Sequence, residues 1–492
     1  AIIFKRQYDY HNGGFGGAPK FPRPSEPLFL LNHAMRTGDK DGANMVLQTC
    51  EHMAAGGIYD QLGGGFARYS VDAQWLVPHF EKMLYDNAQL LNLYLDAWLV
   101  SGDSRHAETA RGIIQYVLRD MTHPGGGFYS AEDADSEGKE GKFYCWTTGD
   151  LSQVLTRNEA EVAVRYFGVT PPGNFVDHSD PNPLPNQNVL SIVAPDLTVD
   201  EEKLLAAAKH KMFEARAKRV RPHLDDKVLA SWNGMMLGAL ARAYSVLCDE
   251  SFRAAAEKNL AFLRKELWDE KTRTLYHRWR DGERDTVQLL SAYANLCAGT
   301  IDLYEATLEP RHLDFAIALA DAMLAKFYDA ENGGFYDSAA SDHELILRLK
   351  DDYDGAEPSG NSVAVLALLR LAEILGRKEF AEAAEKTLRL FAPRLNQLPQ
   401  AVPHMLIGLA FYLQGAKRAV VAGDPNLVET KALLRSVHSV YYPNKVVLGN
   451  SGAVEEFAKT LAGKDGPVVY ICTGNACLPP VTDADGVKRA MN

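Results

Sequence analysis

Residues 56–87, GGIYDQLGGGFARYSVDAQWLVPHFEKMLYDN, carry more polar and aromatic side chains than packing alone requires. Asp60, Tyr69, Trp75, His79, Glu81, Tyr85 and Asp86 all fall within this stretch. Crowded carboxylates raise one another's pKa, which leaves one acid and one base, and an imidazole supplies a second proton carrier. His79 and Glu81 are therefore read as candidates for proton transfer. Three further stretches share this character: residues 132–137 with Glu132, Asp133 and Asp135; Asp225-Asp226-Lys227 followed by Ser231-Trp232-Asn233; and residues 351–361, DDYDGAEPSGN, with Glu357 and Asn361. Each sets carboxylates at a junction between loop and helix, where unpaired N–H groups and the positive end of the helix dipole favour anions. Asp226 and Glu357 complete the candidate catalytic set. Asp60, Tyr69, Trp75, Tyr85, Asp86, Glu132, Asp133, Asp135, Lys227, Trp232, Asn233 and Asn361 are read as binding groups that position hydroxyls or stack on a ring.

Taken singly, each of these residues has a structural explanation. Asp225 and Asp226 can cap a helix, Lys82 and Asp86 can pair at i, i+4, and Gly234 and Gly238 with Ser231 can let two helices approach closely. The acidic run DADSEG lacks the length and ligand spacing of a calcium loop. Convergence of the four stretches in space is what would make a pocket.

The elements that must position them are helical. Apolar periodicity predicts helices over residues 25–36, 42–55, 78–100, 104–121, 227–247, 251–268, 288–306, 311–327, 360–375, 379–391 and 403–413, with others at 148–155, 159–167 and 199–218. Pro78 is expected in the first turn of its helix, which would put His79, Lys82 and Asp86 on one face and Glu81 with Tyr85 on the next. Residues 142–147 read as a strand. Glycine-rich or aromatic turns recur between helices: GGFGG at 13, GGGFAR at 63, GGGFYS at 125, TLYHRW at 274 and GGFYDS at 333. Repeated hairpins bury both faces only by stacking, and the economical closure is a ring with an inner and an outer layer. The fold class expected is mainly α, an (α/α)6 toroid over residues 1–415, followed by a small α/β segment over residues 416–492 with β-branched runs at 418–422, 445–448 and 468–472.

The formal net charge of −12 over 492 residues, without a Lys/Arg stripe, argues against a nucleic-acid binder. No apolar run is long enough for a membrane span, and the first residues, AIIFKRQYDYHN, do not form a signal peptide. The six cysteines are scattered and none forms C-x-x-C, so a reducing, cytoplasmic setting is expected and no metal site or cofactor is read. The chain opens on Ala1, so a targeting signal is expected to lie, if anywhere, upstream of it.

LGGGFARYSVDAQWLVPHFEKMLYDNAQL, GGGFYSAEDADSEGKEGKFYCWT, RPHLDDKVLASWNGMM and DGAEPSGNSVAVLALLRL together resemble the thioredoxin-domain-containing YyaL family, related to spermatogenesis-associated protein 20. The resemblance runs from Gly13 into the C-terminal segment. It implies a thioredoxin-like domain preceding an (α/α)6 toroid similar to N-acylglucosamine 2-epimerases and six-hairpin glycosidases. That domain and its cysteine motif are not expected within these 492 residues. Where relatives carry Asp-Asp-Tyr-Ala at the start of one inner helix, it reads Leu290-Ser291-Ala292-Tyr293-Ala294, so two pocket carboxylates are missing.

The function expected is a carbohydrate-directed enzyme, either isomerising or epimerising a free sugar or cleaving a glycosidic bond, with a small sugar-like ligand at the toroid mouth. The rival is a non-catalytic binding or interaction module acting beside a thioredoxin-like domain, a reading the missing Asp pair favours.

Overall fold

The computed structural model describes residues 1–178, 180–339, 347–463, 466–474 and 476–491. Six helices form its inner wall. Ser25–Thr37 packs on Leu84–Ser101, and the contacts run on through Ala230–Leu247, Leu290–Thr307, Gly360–Leu375 and Pro403–Gln414 before returning to Ser25–Thr37. The ring is closed, as the hairpin repeats imply, and the fold is the α/α toroid. Lys40–Ala55, Ser104–Asp120, Glu250–Glu266, Pro310–Phe327 and Lys378–Leu390 lie outside it, each packed on the inner helix that precedes it.

The division into layers follows from sequence. Inner helices are apolar almost all round, so that Leu90, Leu91, Leu93, Tyr94 and Leu95 are consecutive or near-consecutive buried residues. Outer helices are apolar on one stripe, as at Ala110, Ile113, Ile114 and Val117, with exposed or half-exposed polar residues between. Glycines set the closest approach within the ring. A Cβ on Gly299 would lie 2.1 Å from the Gly234 carbonyl oxygen, and one on Gly234 would lie 2.5 Å from the Leu296 nitrogen. Gly238 meets Gly299 in the same seam, in keeping with the packing role read for Gly234 and Gly238.

Two helix starts differ from expectation. The second inner helix begins at Leu84, and Pro78–His79 and Lys82–Met83 are short strands. Pro78–His79 pairs with Tyr69–Ser70, while Lys82–Met83 pairs with Ala131–Glu132, which in turn pairs with Leu224–Asp225. Ladder hydrogen bonds to distant segments outweigh the local preference of Pro78 for a first helical turn. The third inner helix likewise starts at Ala230 because Val228–Leu229 pairs with Arg278–Arg280. Residues 142–147 do not form a strand; the region turns at 141–144 and makes one bridge, Trp146 to Asn188.

These short strands build one rim of the ring, at the N-terminal ends of the inner helices. The opposite end is covered by the C-terminal segment. Its sheet runs in the order Lys445–Gly449, Lys417–Ala422, Val468–Thr473, Ala476–Cys477, with the first pair parallel and the others antiparallel. Alternation along the strands sends Val420, Val446 and Leu448 into the main core, whereas Ala419, Val421 and Val447 join a second cluster with Leu433, Val437 and Val487. Gly449 donates its N–H to the Tyr304 hydroxyl at 3.2 Å, and His438 Nε2 meets the Glu305 carbonyl at 2.9 Å. The last strand pair brings Cys472 and Cys477 into a disulfide, a pairing the scattered spacing did not suggest. Among the described residues no helix is long and apolar enough to cross a membrane.

Candidate active site at the mouth of the ring

Strand geometry at residues 78–83 sorts side chains by parity. Phe80 and Lys82 turn into the core, while His79 and Glu81 stay half-buried on the rim with His79 Nε2 3.8 Å from a Glu81 oxygen. The expected helical face joining His79, Lys82 and Asp86 therefore does not form. His79 Nδ1 donates to Glu140 Oε1 at 2.8 Å, and that oxygen also accepts from the Phe80 N–H at 3.2 Å. The bond to Glu140 raises the His79 pKa above its ordinary value, against the effect of burial. Tyr69 stacks on His79 with ring centroids 5.1 Å apart and is itself stacked on Phe21 at 4.6 Å. Arg68 faces the other side of Glu81, with Nη1 at 3.2 Å from its carboxylate.

The first turns of the inner helices bring in the rest. Tyr85 meets Trp232 edge-on at 4.8 Å, joining the second and third inner helices. Asp86 is buried, and its Oδ2 accepts no hydrogen bond from any described group. Burial pushes its pKa well up; Arg68 opposes the shift, and the charges of Glu357 and Glu81 reinforce it. Glu357 approaches from the loop before the fifth inner helix, where burial raises its pKa to about 7 against a hydrogen bond from Trp232. Gln89 Nε2 donates to the Ala356 carbonyl at 2.8 Å and so ties this loop to the second inner helix. His79, Glu81, Tyr69, Tyr85, Asp86, Trp232 and Glu357 thus gather along one continuous rim. It holds two acids with raised pKa values, a histidine biased toward its protonated form and one arginine.

Other residues singled out from sequence are engaged elsewhere. Asp60 is buried between Arg216 at 2.7 Å and Lys82 at 2.9 Å; burial works against its carboxylate, but the two cations outweigh it and hold its pKa far below the usual range. Trp75 is wholly buried and donates to the Asn12 carbonyl at 3.0 Å. Glu132, also buried, pairs with Arg221 at 2.6 Å and accepts from Tyr116 at 3.1 Å. Asp133 caps the Ala134 N–H at 2.7 Å, and Asp135 is exposed in the hairpin formed with residues 139–140. Asp226 pairs with Arg280 at 2.7 Å and Lys227 with Asp225 at 3.1 Å. Asn233 bonds the N–H and carbonyl of Phe128 at 2.7 and 2.9 Å, and Asn361 holds Phe335 in the same way at 2.8 and 2.9 Å. Asn87 does so for Phe66, so three inner helices carry an asparagine that mimics a strand partner for the preceding glycine-rich turn. At the fourth, Tyr293 substitutes, accepting from the Leu275 N–H at 2.7 Å.

Arg68, Gln89 and Glu140 join the rim although sequence reasoning did not select them. Arg68 was legible as the residue that alternates with Tyr69 into the loop. Glu140 had no local signal, because its partner His79 is 61 positions away. The first turn of the fourth inner helix, Leu290-Ser291-Ala292, brings no carboxylate to the mouth. Among the described residues two acid-and-histidine groups with metal-like spacing lie instead between outer helices, Glu51–Asp103–His106 and Glu257–Glu309–His312. Arg105 in the first and Arg311 in the second already neutralise their carboxylates, at 2.5–3.2 Å.

No family model matches the chain. It is 38% identical to the Homo sapiens spermatogenesis-associated protein 20 over 99% of this chain and 68% of that protein. The chain belongs to the spermatogenesis-associated protein 20 family. The family's Mus musculus member is likewise 38% identical, over 67% of its own length. Among solved structures, cellobiose 2-epimerase from Bacillus thermoamylovorans B4167 superposes with a TM-score of 0.53 at 10% identity, covering 80% of this chain and 84% of that one. This likeness is one of fold, the α/α toroid.

Proposed function

We propose that the chain is a carbohydrate-directed enzyme that moves protons on a sugar at the mouth of its toroid, in the manner of an isomerase or epimerase. The observation that carries this reading is the pairing of Glu357, with a pKa near 7, and His79, raised by Glu140, on one rim. Inverting or shifting a stereocentre next to a carbonyl takes one group to remove a proton and a second to return it. Glu357, raised to about 7 by burial, can serve as the base and His79, held toward its protonated form by Glu140, as the acid, with Glu81 and Asp86 as adjoining carboxylates. Arg68 is placed to stabilise an oxyanion as the proton leaves, a role that fixed donors perform well in a site shielded from water. Tyr69, Tyr85 and Trp232 offer ring faces for the apolar side of a sugar. The likeness of fold to a cellobiose 2-epimerase supports a sugar substrate.

A glycosidase reading uses the same carboxylates as acid and base. It is less favoured, because the rim groups with raised pKa values include a histidine. A binding module acting beside a thioredoxin-like domain is the second reading; it is favoured by Ser291 and Ala292, which leave the fourth inner helix without a carboxylate. The deciding experiment incubates the full chain with free aldoses and disaccharides in deuterated water and follows solvent deuterium into the carbon beside the carbonyl. Incorporation lost in both Glu357→Gln and His79→Ala supports the enzyme. Sugar binding without exchange or bond cleavage in wild type sinks it in favour of the module.

A further inference from the structure

Beneath the rim the inner helices enclose a cavity of about 320 Å³ whose walls include none of the candidate proton-transfer residues. It runs from Gln89, Asn295 and His404 near the mouth to Tyr441 and Lys445 at the far end. That far end is closed by residues 438–445 of the C-terminal segment, so the chamber is built by both parts of the chain.

Its polarity is unusual for the middle of a helical ring. Arg242 reaches Asp96 at 2.5 Å and Asn92 at 2.8 Å, and Arg370 reaches Asp302 at 2.7 Å and Glu305 at 3.1 Å. Lys445 donates only to backbone, to the carbonyls of Val437 at 2.9 Å and Val440 at 2.6 Å. Three acids therefore face three bases, and burial keeps His404 and His438 neutral by pulling their pKa values to about 4 and about 3. The chamber has donors and acceptors in quantity but no net charge to attract an ion. Asn32 Oδ1 and Gln89 Oε1 are buried acceptors that no described protein group satisfies. Leu28, Met235, Leu366 and Ile407 give the same walls apolar patches.

A chamber lined by amides and internally balanced charges, with apolar faces between, matches a molecule that is uncharged and rich in hydroxyls around a carbon ring. Its volume lies in the range of small-ligand pockets. We propose that this chamber is a binding site, separate from the acidic rim, for a neutral polyhydroxylated molecule of one or two sugar rings. The ligand class is shared with the function proposed above; the chamber adjoins the rim at Gln89 and Pro358 but contains none of its proton-transfer residues, and the test keeps the two apart.

The test is calorimetric titration of the full chain with glucose, maltose and glucuronate. Glucose or maltose is expected to bind, with glucuronate at least tenfold weaker because its carboxylate would enter a chamber that already holds Asp96, Asp302 and Glu305 and whose cations are engaged with these acids or with backbone carbonyls. Ala298→Phe and Ile407→Trp, which fill the chamber from two different helices, are expected to weaken binding at least tenfold with a folded circular-dichroism spectrum. Sugar binding in wild type without any turnover supports the chamber while counting against the enzyme. Unchanged affinity in a folded filling variant, or no binding of either neutral sugar, overturns the proposal.

Discussion

Gln89 Nε2 donates to the carbonyl of Ala356 at 2.8 Å, tying the second inner helix to the residue before Glu357 across 267 positions of sequence. This bond holds the Glu357 loop over the ring and keeps its carboxylate away from water. Gln89→Leu is expected to cost about 1 kcal/mol of stability, the net value of one such bond. The sharper effect is on Glu357. Once the loop is free, its pKa drops from about 7 toward the ordinary glutamate value. The measurement is the pH midpoint of tryptophan fluorescence, taken as the difference from a Trp232→Phe background; an unmoved midpoint refutes the positioning role.

Glu357 also links stability to pH. Its folded pKa lies above the unfolded value of 4.5, so the unfolded chain ionises first and stability falls as pH rises from about 4.5 to about 7. Asp354 and Asp337, both raised to about 6 by burial, add losses over the lower part of the same window. Glu357→Gln keeps an acceptor for Trp232 and removes the charge. It is expected to be more stable than wild type by on the order of 2 kcal/mol at pH 8, and no more stable at pH 4.5. Urea unfolding at the two pH values checks this.

Asp60 tests the opposite kind of carboxylate. It is the shared counter-ion of Arg216 and Lys82, both buried. Asp60→Asn leaves two cations uncompensated and is expected to destabilise the chain by about 3–5 kcal/mol. Because the cluster serves the fold, solvent-deuterium exchange per folded molecule is expected to stay within twofold. A large loss of exchange at full stability would place Asp60 in the chemistry instead.

The seam between the third and fourth inner helices depends on glycine. Gly299→Ala would set a methyl 2.1 Å from the Gly234 carbonyl oxygen, with backbone on both sides of the clash. Helices must part to admit it, at a cost of about 1–3 kcal/mol. Thermal unfolding should show a melting temperature lower by several degrees, whereas Gly17→Ala, with open space around its Cβ and no positive φ, gives the comparison for a glycine outside the seam.

How much of this was legible depended on range. Apolar periodicity predicted helices over residues 78–100 and 104–121, while the structure showed which is inner and which outer: the first is buried almost all round from Leu84, the second on one stripe only. Glycine-rich turns between hairpins pointed to a ring. Gly234 and Gly238 were readable as close-packing residues, and Glu357, Tyr85 and Trp232 as neighbours at helix starts. All of this is written in residues a few positions apart, where steric and hydrophobic preferences act.

Tertiary structure alone decided where charges went. Lys82–Met83 became a strand because Ala131–Glu132 and Leu224–Asp225 supplied its ladder, and that single change of geometry turned His79 and Glu81 outward and Lys82 inward. Asp60 and Asp226 look as reactive as Glu357 in a sequence, yet Arg216 and Arg280 neutralise them from 156 and 54 positions away. A carboxylate's pKa is set by burial and by which cation lies within a few ångströms, and neither is a property of its neighbours along the chain.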